Sequence, residues 1–361
     1  MLSFVYTGAV SSRLIVYPMY VSNPYLTMAH VAPVAAGWSI IGVRSVADLD
    51  DAVDAGDVVH IHWTAPVLQA AADRDVASAK VDEFVSILDR LKSRGAKLLW
   101  TVHNEIAHDT PWPEFEVRIA EALADRSDAI IQLHDHTADA VSASYTLPAA
   151  KLVTLRHSSY LGIYGHEQTA PEARKELGIE AGHHVVGFVG QLRRYKGIGT
   201  LCAAVDVAVD KVSDLTLLVA GAARHGDSAW LKEVMPKRAR TVRWNRRVPD
   251  RTLANWVCAA DIIALPYQRV LNSGSLLLAA TYGRPVIIPS NTALASVYSG
   301  ESWVHTYDAD TDDVSPLAES IISALGTARS DSDAARQYAR DWTPYDMSRA
   351  YLRILERVAN A

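Results

Sequence analysis

The chain has 361 residues, of which 49% are apolar and 21% charged, and its formal net charge is −6. This composition is that of a folded protein of about two domains, and it excludes a disordered chain. The acidic balance argues against nucleic acid as a partner, because binding a phosphate backbone requires a basic face. Residues 1–162 hold 12 Lys and Arg against 19 Asp and Glu, whereas residues 163–361 hold 23 against 22. The difference suits a first half that binds something neutral and a second half that binds an anion.

Targeting signals and cysteines give the expected compartment. The N-terminus, Met-Leu-Ser-Phe-Val-Tyr, lacks the basic and long apolar regions of a secretory leader, and no run approaches 18 apolar residues. Cys202 and Cys258 each fall within an apolar helical pattern and have no close partner in the sequence. We therefore expect a cytoplasmic protein with inert buried thiols.

Short apolar strands alternate with amphipathic helices along the chain, which is typical of parallel sheets with helical crossovers. Strands are predicted near residues 4–6, 39–43, 58–61, 98–102, 129–132 and 153–155, and then near 185–189, 215–220, 241–244, 262–265 and 286–288. Residues 160–180, rich in Gly, Pro and charge, are the predicted linker. A last helix is predicted over residues 347–358.

Histidines and other polar residues follow the first-half strands. His62 and Trp63 follow one strand, and His103 and Glu105 follow the next. Ligands of open parallel sheets bind beyond the carboxyl ends of the strands, so these are candidate site residues. The His-x-His spacing of residues 60 and 62 suggests a metal, but carboxylate and cysteine partners at ligand spacing are missing, and no metal is predicted.

The most informative stretch is Val-Val-Gly-Phe-Val-Gly-Gln-Leu-Arg-Arg-Tyr-Lys-Gly over residues 185–197. An apolar strand ends at Gly190, and Arg193, Arg194 and Lys196 precede a helix predicted to start near Gly197. A helix N-terminus with adjacent cations is suited to binding a diphosphate. A basic surface turn is the alternative.

A second helix start lies in the same half of the chain. A strand ends at Pro266-Tyr267, and Asn272-Ser273-Gly274-Ser275 then opens an apolar helical run. Ser, Asn and Gly are ordinary N-cap residues, so this segment alone decides little. Two such helix starts in one domain favour a phosphate site.

These segments resemble the donor-binding half of GT-B glycosyltransferases, which move a sugar from a nucleotide diphosphate to an acceptor. The first half resembles the same family at Asn23-Pro-Tyr25, at Val-Val-His-Ile-His-Trp over residues 58–63 and at Thr-Val-His-Asn-Glu over 101–105. The combination is most similar to bacterial exopolysaccharide transferases of the xanthan-type β-1,4-mannosyltransferase family.

The resemblance implies an α/β protein of GT-B fold, with two Rossmann-like parallel-sheet domains facing across a cleft. The expected domains are residues 1–162 on the acceptor side, 163–340 for the nucleotide-sugar, and 341–361 as a helix packing back on the first domain. The expected donor-binding residues are Gly190, Gln191, Arg193, Arg194, Lys196, Arg247, Val248, Asn272, Ser273, Gly274 and Ser275.

The acceptor is expected on the first domain, near Asn23, Tyr25, His62 and Trp63, because a flat aromatic beside polar groups suits a sugar ring. Packing in the core or between domains explains Trp63 equally well. Asp109, Glu105 and His103 are the candidates for the base that deprotonates the acceptor hydroxyl.

Two departures from the family pattern bear on mechanism. Retaining relatives carry two glutamates eight positions apart, where this chain has Val270 and Leu278. Gln191 stands where many relatives have a phosphate-binding arginine. The departures favour an inverting enzyme. The resemblance implies GDP-mannose as donor, a saccharide or lipid-linked saccharide as acceptor, and no cofactor.

Several alternatives stay open. They are a retaining transferase that uses a UDP-sugar, a nucleotide-sugar epimerase, and a non-catalytic nucleotide-sugar-binding protein. Peripheral contact with the inner face of the cell membrane also stays open. Net charge does not support it, although Lys92, Arg94 and Lys97 form a local basic patch.

Overall fold

The computed structural model describes residues 12–20, 23–107, 110–165 and 167–361. The chain divides into two compact units, Met1–His157 with Pro344–Ala361, and Ser158–Thr343. Each unit contains a six-stranded sheet whose neighbouring strands are parallel. The predicted α/β class is confirmed.

In the part of the first unit that the structure describes, six short strands alternate with helices. The strands are β1 (Arg13–Tyr17), β2 (Ser39–Gly42), β3 (Val58–Ile61), β4 (Lys97–Val102), β5 (Ala129–Gln132) and β6 (Leu152–Thr154). The helices are α1 (Pro24–Ala35), α2 (Val46–Ala52), α3 (Ala65–Leu68), α4 (Arg74–Ser93), α5 (Pro113–Arg126) and α6 (Thr137–Val141). The strand order is β2-β1-β3-β4-β5-β6, so the chain reverses its direction across the sheet between β1 and β3.

The second unit repeats this plan. Its strands are β7 (His184–Val189), β8 (Leu215–Ala220), β9 (Arg240–Trp244), β10 (Ile262–Ala264), β11 (Val286–Pro289) and β12 (Val304–Tyr307). Its helices are α7 (Ala170–Glu176), α8 (Ile198–Ala208), α9 (Ser228–Val234), α10 (Asp250–Cys258), α11 (Gly274–Thr281), α12 (Ala293–Tyr298) and α13 (Ser315–Asp341). The order β12-β11-β10-β7-β8-β9 is that of a Rossmann-like sheet, with its switch point between β7 and β10.

The last helix, α14 (Pro344–Ala359), returns to the first unit. It packs along α1 and also contacts β3 and β4. The Ser348 hydroxyl accepts a hydrogen bond from the Ala32 amide and donates one to the Ala29 carbonyl. Tyr351 Oη lies 2.6 Å from His60 Nδ1 in the core.

The observed strands differ from the predicted set at three places. The strand predicted at residues 4–6 lies outside the described residues. β1 and β12 were not predicted, although β1 is a central strand whose Leu14 to Tyr17 are fully buried. Five residues are too short a window for the apolar run Leu-Ile-Val to be told from a loop or a helix segment.

The cysteines behave as expected. Cys202 and Cys258 are buried and free, and burial raises the pKa of both thiols, that of Cys202 to about 12. A thiol whose pKa is raised is a poor nucleophile. Among the described residues, no helix is both long and apolar enough to cross a bilayer.

Candidate functional site

The two central strands of the second unit define a candidate site. β7 and β10 are neighbours, and the crossovers that follow them leave toward opposite edges of the sheet. Ligands of open α/β sheets bind beyond the carboxyl ends of the strands at such a switch point. Gly190 follows β7 there, and Pro266 and Tyr267 follow β10.

Two glycines allow the backbone to approach closely at this point. Gly197 has φ +67°, and a Cβ atom there would lie 1.9 Å from the Pro266 carbonyl oxygen. Gly190 has φ +155°, and a Cβ atom there would lie 3.1 Å from Ser275 Oγ. Because L side chains rarely adopt such a backbone, these positions require glycine. The backbone at Gly197 can therefore approach Pro266, and neither glycine places a side chain in the space beyond the ends of β7 and β10.

The helix α11 starts against the end of β7. Ser273 caps this helix by accepting a hydrogen bond from the Leu276 amide, at 3.2 Å. The Ser275 hydroxyl donates to the Val189 carbonyl, also at 3.2 Å. A Cβ atom at Gly274 would lie 2.5 Å from Tyr160 Oη, so a larger residue would not fit. The amides of the first helical turn have no acceptor within the helix, which makes this end suited to an anion.

Of the three predicted cations, Lys196 lies at this point. Its Nζ is 3.9 Å from the position a Gly190 Cβ would take and 5.0 Å from the centre of the Tyr267 ring. The structure therefore brings Gly190, Lys196 and Ser275 together.

The two arginines contact other groups of the protein. Arg193 donates to the carbonyls of Leu192 and Ala222, each at 3.0 Å. Arg194 lies 4.7 Å from the Trp230 ring centre, and its Nε is 3.4 Å from Asp227. Both remain predicted donor contacts, but a bound diphosphate would compete with these partners.

Tyr267 was not singled out from the sequence. Its side chain is 3% exposed, and its hydroxyl has no hydrogen-bond partner within the part of the chain that is described. A buried hydroxyl without a partner is costly, and it suits a site where a ligand supplies one. Its position just after the proline that ends β10 is the only signal in the sequence.

The remaining predicted donor residues lie in separate loops. Val248 is buried after β9, and Arg247 pairs with Asp250 at 2.9 Å. Nearby, burial and the Asp250 charge raise the pKa of Tyr164 to about 12, against the opposing effect of Arg247. Gln191 is exposed, and Asn272 precedes the cap of α11.

A second candidate site lies on the first unit, beyond β3 and β4. The rings of Trp63 and His103 stack, with centres 4.3 Å apart and planes 15° apart. His62 Nδ1 is 3.0 Å from His103 Nε2, so one ring nitrogen donates to the other. These two strand ends, which the sequence separates by 41 residues, therefore carry one cluster.

The imidazoles of this cluster are neutral. Burial lowers the pKa of His62 well below its usual value, with His60 and His103 as further causes. Burial, with His157 as a second cause, lowers the pKa of His103 to about 3. A neutral imidazole can accept a proton but is a weak base at such a pKa. His62 Nε2 is buried and has no partner among the described residues.

Asn23 and Tyr25 have structural contacts in this unit. Asn23 caps α1, its side chain accepting from the Tyr25 amide at 3.0 Å. The Tyr25 ring lies edge-on to the rings of His62 and His103. The acceptor contacts expected for both residues stay predictions.

The comparisons with known proteins agree with this geometry. Residues 183–327 match the family model described as glycosyl transferases group 1. Over 81% of this chain and 77% of the relative, the sequence is 28% identical to a GDP-mannose:glycolipid 4-beta-D-mannosyltransferase of Xanthomonas campestris. The chain is a GT-B glycosyltransferase.

Further relatives extend this result. The glycosyltransferase is 27% identical to a D-inositol 3-phosphate glycosyltransferase of Corynebacterium urealyticum, over 63% of this chain and 55% of the relative. Its fold matches the crystal structure of Anabaena HepE in complex with UDP and glucose at a TM-score of 0.73 and 13% identity, covering 96% of this chain and all of that one. It matches sucrose-phosphate synthase of Thermosynechococcus elongatus at a TM-score of 0.63 and 17% identity, over 97% of each chain.

The carboxylate candidates for the base are Glu105, two residues after His103, and Asp109. Glu105 accepts a hydrogen bond from the Ser144 hydroxyl at 2.6 Å. Asp109 lies outside the described residues. The three candidates for the base therefore stay predictions.

Glu116 on α5 was missed by sequence reasoning. It is buried, and burial raises the pKa of its carboxyl group. It accepts from the Thr64 hydroxyl at 2.9 Å and from the Ala107 amide. Glu116 thus connects the loop after β3 to the loop after β4. Its place in an amphipathic helix offered no signal for this role.

Proposed function

We propose that this glycosyltransferase moves mannose from GDP-mannose to a saccharide or lipid-linked saccharide, with inversion at the anomeric carbon. The observation that carries the proposal is the Gly190–Lys196–Ser275 cluster at the switch point of a chain whose relatives include a GDP-mannose:glycolipid mannosyltransferase. The reaction is expected in the cytoplasm, at the inner face of the membrane where the acceptor is lipid-linked.

The donor diphosphate is proposed to bind between Lys196 and the first turn of α11. Lys196 supplies a positive charge, and the Ser275 amide supplies a hydrogen bond. The Ser275 hydroxyl would supply another only by giving up its bond to the Val189 carbonyl. Gln191, Arg193 and Arg194 border this position in the sequence. The base of the nucleotide is proposed to lie near Arg247 and Val248. Because these groups can balance the charge of the leaving diphosphate, we propose that turnover needs no metal.

The chemical step transfers one proton and one glycosyl group. The acceptor hydroxyl oxygen attacks the anomeric carbon from the face opposite the diphosphate, a base takes the hydroxyl proton, and the bond to the diphosphate oxygen breaks. Glu105, Asp109 and His103 are the proposed bases. Val270 and Leu278 support inversion, because neither can supply the carboxylates that retaining relatives place there.

The test is a product analysis of the purified enzyme with GDP-mannose, UDP-glucose and UDP-glucuronate, each with a glycolipid acceptor fraction and without one. NMR of the product gives the configuration of the new bond. A β-linked mannoside from GDP-mannose supports the proposal. Transfer only from a UDP-sugar refutes the donor, an α-linked mannoside refutes the inverting step, and an acceptor-independent change of the sugar indicates an epimerase.

Single substitutions test the base. Glu105→Gln and Asp109→Asn leave the proposed diphosphate site at Lys196 and Ser275 unchanged, so nucleotide binding should persist in both variants. Turnover should be lost in one of them. If both variants turn over normally, His103 becomes the candidate, or the leaving phosphate takes the proton itself.

A further inference from the structure

The exposed side of α1 carries no charge. Residues 23–38 contain no Asp, Glu, Lys or Arg. Thr27, Val31, Val34 and Ala35 are exposed, and their spacing places them on one stripe of the helix. Val31 is 54% exposed and Val34 58%, which is unusual for two apolar side chains a single turn apart.

The exposed side of the neighbouring helix α14 is basic. Arg349, Arg353 and Arg357 recur at steps of four and form one stripe, which begins at Tyr345. Tyr345 is 60% exposed, and the Arg349 guanidinium lies 5.6 Å from the centre of its ring. Glu356 is the one exposed carboxylate on this helix. Arg353 and Arg357 form no ion pair with any residue that the structure describes.

The two stripes face the same way. α1 and α14 lie side by side, joined at Ser348 and Ala32, and both cover the same sheet. The side of α14 that carries Met347, Tyr351 and Leu355 is buried toward that sheet. The exposed sides of these two adjacent helices therefore both point away from the sheet. We call them together the α1–α14 surface, made of Val31, Val34, Tyr345, Arg349, Arg353 and Arg357.

The basic patch predicted from the sequence differs from the α14 stripe, because two of its cations pair with carboxylates. Lys92 binds the Asp128 carboxylate with both oxygens at 2.7 Å, and Arg94 pairs with Asp50 at 2.8 Å. These carboxylates offset the charges of Lys92 and Arg94, although Asp50 also pairs with Arg90. The arginines of α14 keep theirs, although the first half of the sequence is acidic.

We propose that the α1–α14 surface docks on an anionic phospholipid bilayer. Apolar side chains with a tyrosine enter the boundary between headgroups and acyl chains, and arginines bind lipid phosphates, which is the pattern of interfacial helices. The arginines would suit either an anionic lipid surface or an acidic protein. The uncharged Val31 and Val34 favour the lipid, because a bilayer offers an apolar region beneath its phosphates. The proposal deepens the proposed function by placing a lipid-linked acceptor and the enzyme at one surface, but its test needs neither donor nor acceptor.

The test is co-sedimentation of the full chain with vesicles of phosphatidylcholine alone and with 30% phosphatidylglycerol, a composition of about one anionic lipid in three chosen to give a strong surface potential. Binding should need the anionic lipid and weaken with salt. Since each basic residue near such a surface contributes about fivefold, Arg349→Gln/Arg353→Gln/Arg357→Gln should lower the partition coefficient by about 100-fold. Val31→Ser/Val34→Ser should lower it as well.

A matched control is Arg74→Gln/Arg118→Gln/Arg126→Gln, which removes the same charge from the same unit at arginines paired with Glu114, Asp82 and Asp89. This control should bind vesicles as the wild type does. Equal losses in both triple variants, or no binding of the wild type to anionic vesicles, would overturn the proposal. Self-association that Val31→Ser/Val34→Ser abolishes, without vesicle binding, would assign the surface to a second copy. Nucleotide-dependent thermal stabilisation should be unchanged in every variant, which separates this result from a failure of the donor assignment.

Discussion

Lys196→Ala is the most direct test of the proposed diphosphate site at Gly190, Lys196 and Ser275. A phosphate oxygen between Gly190, Ser275 and Lys196 would lie about 4 Å from Nζ or closer, since Nζ is 3.9 Å from the Cβ position at Gly190. At an effective dielectric constant of about 20, two unit charges at that separation interact by about 4 kcal/mol. Removing one such group from a charge-stabilising site typically costs about 10²–10³-fold in turnover. We therefore expect kcat/KM to fall by about that factor.

The assay is steady-state release of the nucleoside diphosphate, with thermal shift by the nucleotide as a second readout. Arg238→Ala is the matched control, because its guanidinium pairs with Asp210 just before the start of β9, away from the carboxyl ends of the strands. It should lose less than about tenfold, in line with the modest value of an exposed ion pair. A Lys196→Ala enzyme with near-normal kcat/KM, or an Arg238→Ala enzyme that loses more than about tenfold, would refute the reasoning.

Three other outcomes are expected. Gly190→Ala places a methyl group 3.1 Å from Ser275 Oγ in a backbone with φ +155°. It should therefore abolish nucleotide-dependent stabilisation and lower the free energy of unfolding in urea by about 1–3 kcal/mol. The control Gly300→Ala, whose added methyl group would have no atom within 4 Å, should do neither. Glu116→Ala leaves the Thr64 hydroxyl and the Ala107 amide without a hydrogen-bond acceptor, so kcat should fall at least about tenfold while the affinity for the nucleotide-sugar stays unchanged. Glu116→Gln should restore much of kcat. Equal kcat in the two variants would contradict this prediction. Burial lowers the pKa of His30 to about 4 in the folded protein. As the pH falls, His30 therefore becomes protonated in the unfolded chain before it does in the folded protein. The free energy of unfolding should be highest above about pH 6.5 and fall toward pH 4, less steeply in His30→Gln; an unchanged slope there would count against it.

The strand pattern of the sequence predicted most of both sheets. β3, β5 and β8 begin and end at the predicted residues. β12 was missed because Val-His-Thr-Tyr is half polar, and its burial depends on the neighbouring β11 and α13. Strand propensity is a statement about such neighbours, which a single sequence does not show.

The candidate site was predicted unevenly for the same kind of reason. Gly190, Lys196 and Ser275 belong to local patterns of a strand end and a helix start, and they could be read from adjacent residues. The sequence could not rank Lys196 above the arginines, because the partners of Arg193 and Arg194 lie about 30 residues further along the chain. Glu116 and Tyr267 were missed because burial distinguishes both of them, and because the hydrogen-bond donors of Glu116 lie in two distant loops.

By itself, the sequence determined the α/β class and the alternation of strands and helices, and it contains the strand-end and helix-start patterns that resemble the GT-B transferases. These features depend on periodicity and on the conformational demands of glycine, which act within a few residues. Only the tertiary structure decided which side chains share a place: Trp63 on His103, Glu116 between two loops, and the basic stripe of α14 beside the uncharged face of α1. Contacts of this kind arise from the order in which strands and helices pack, and the chain carries no local record of it.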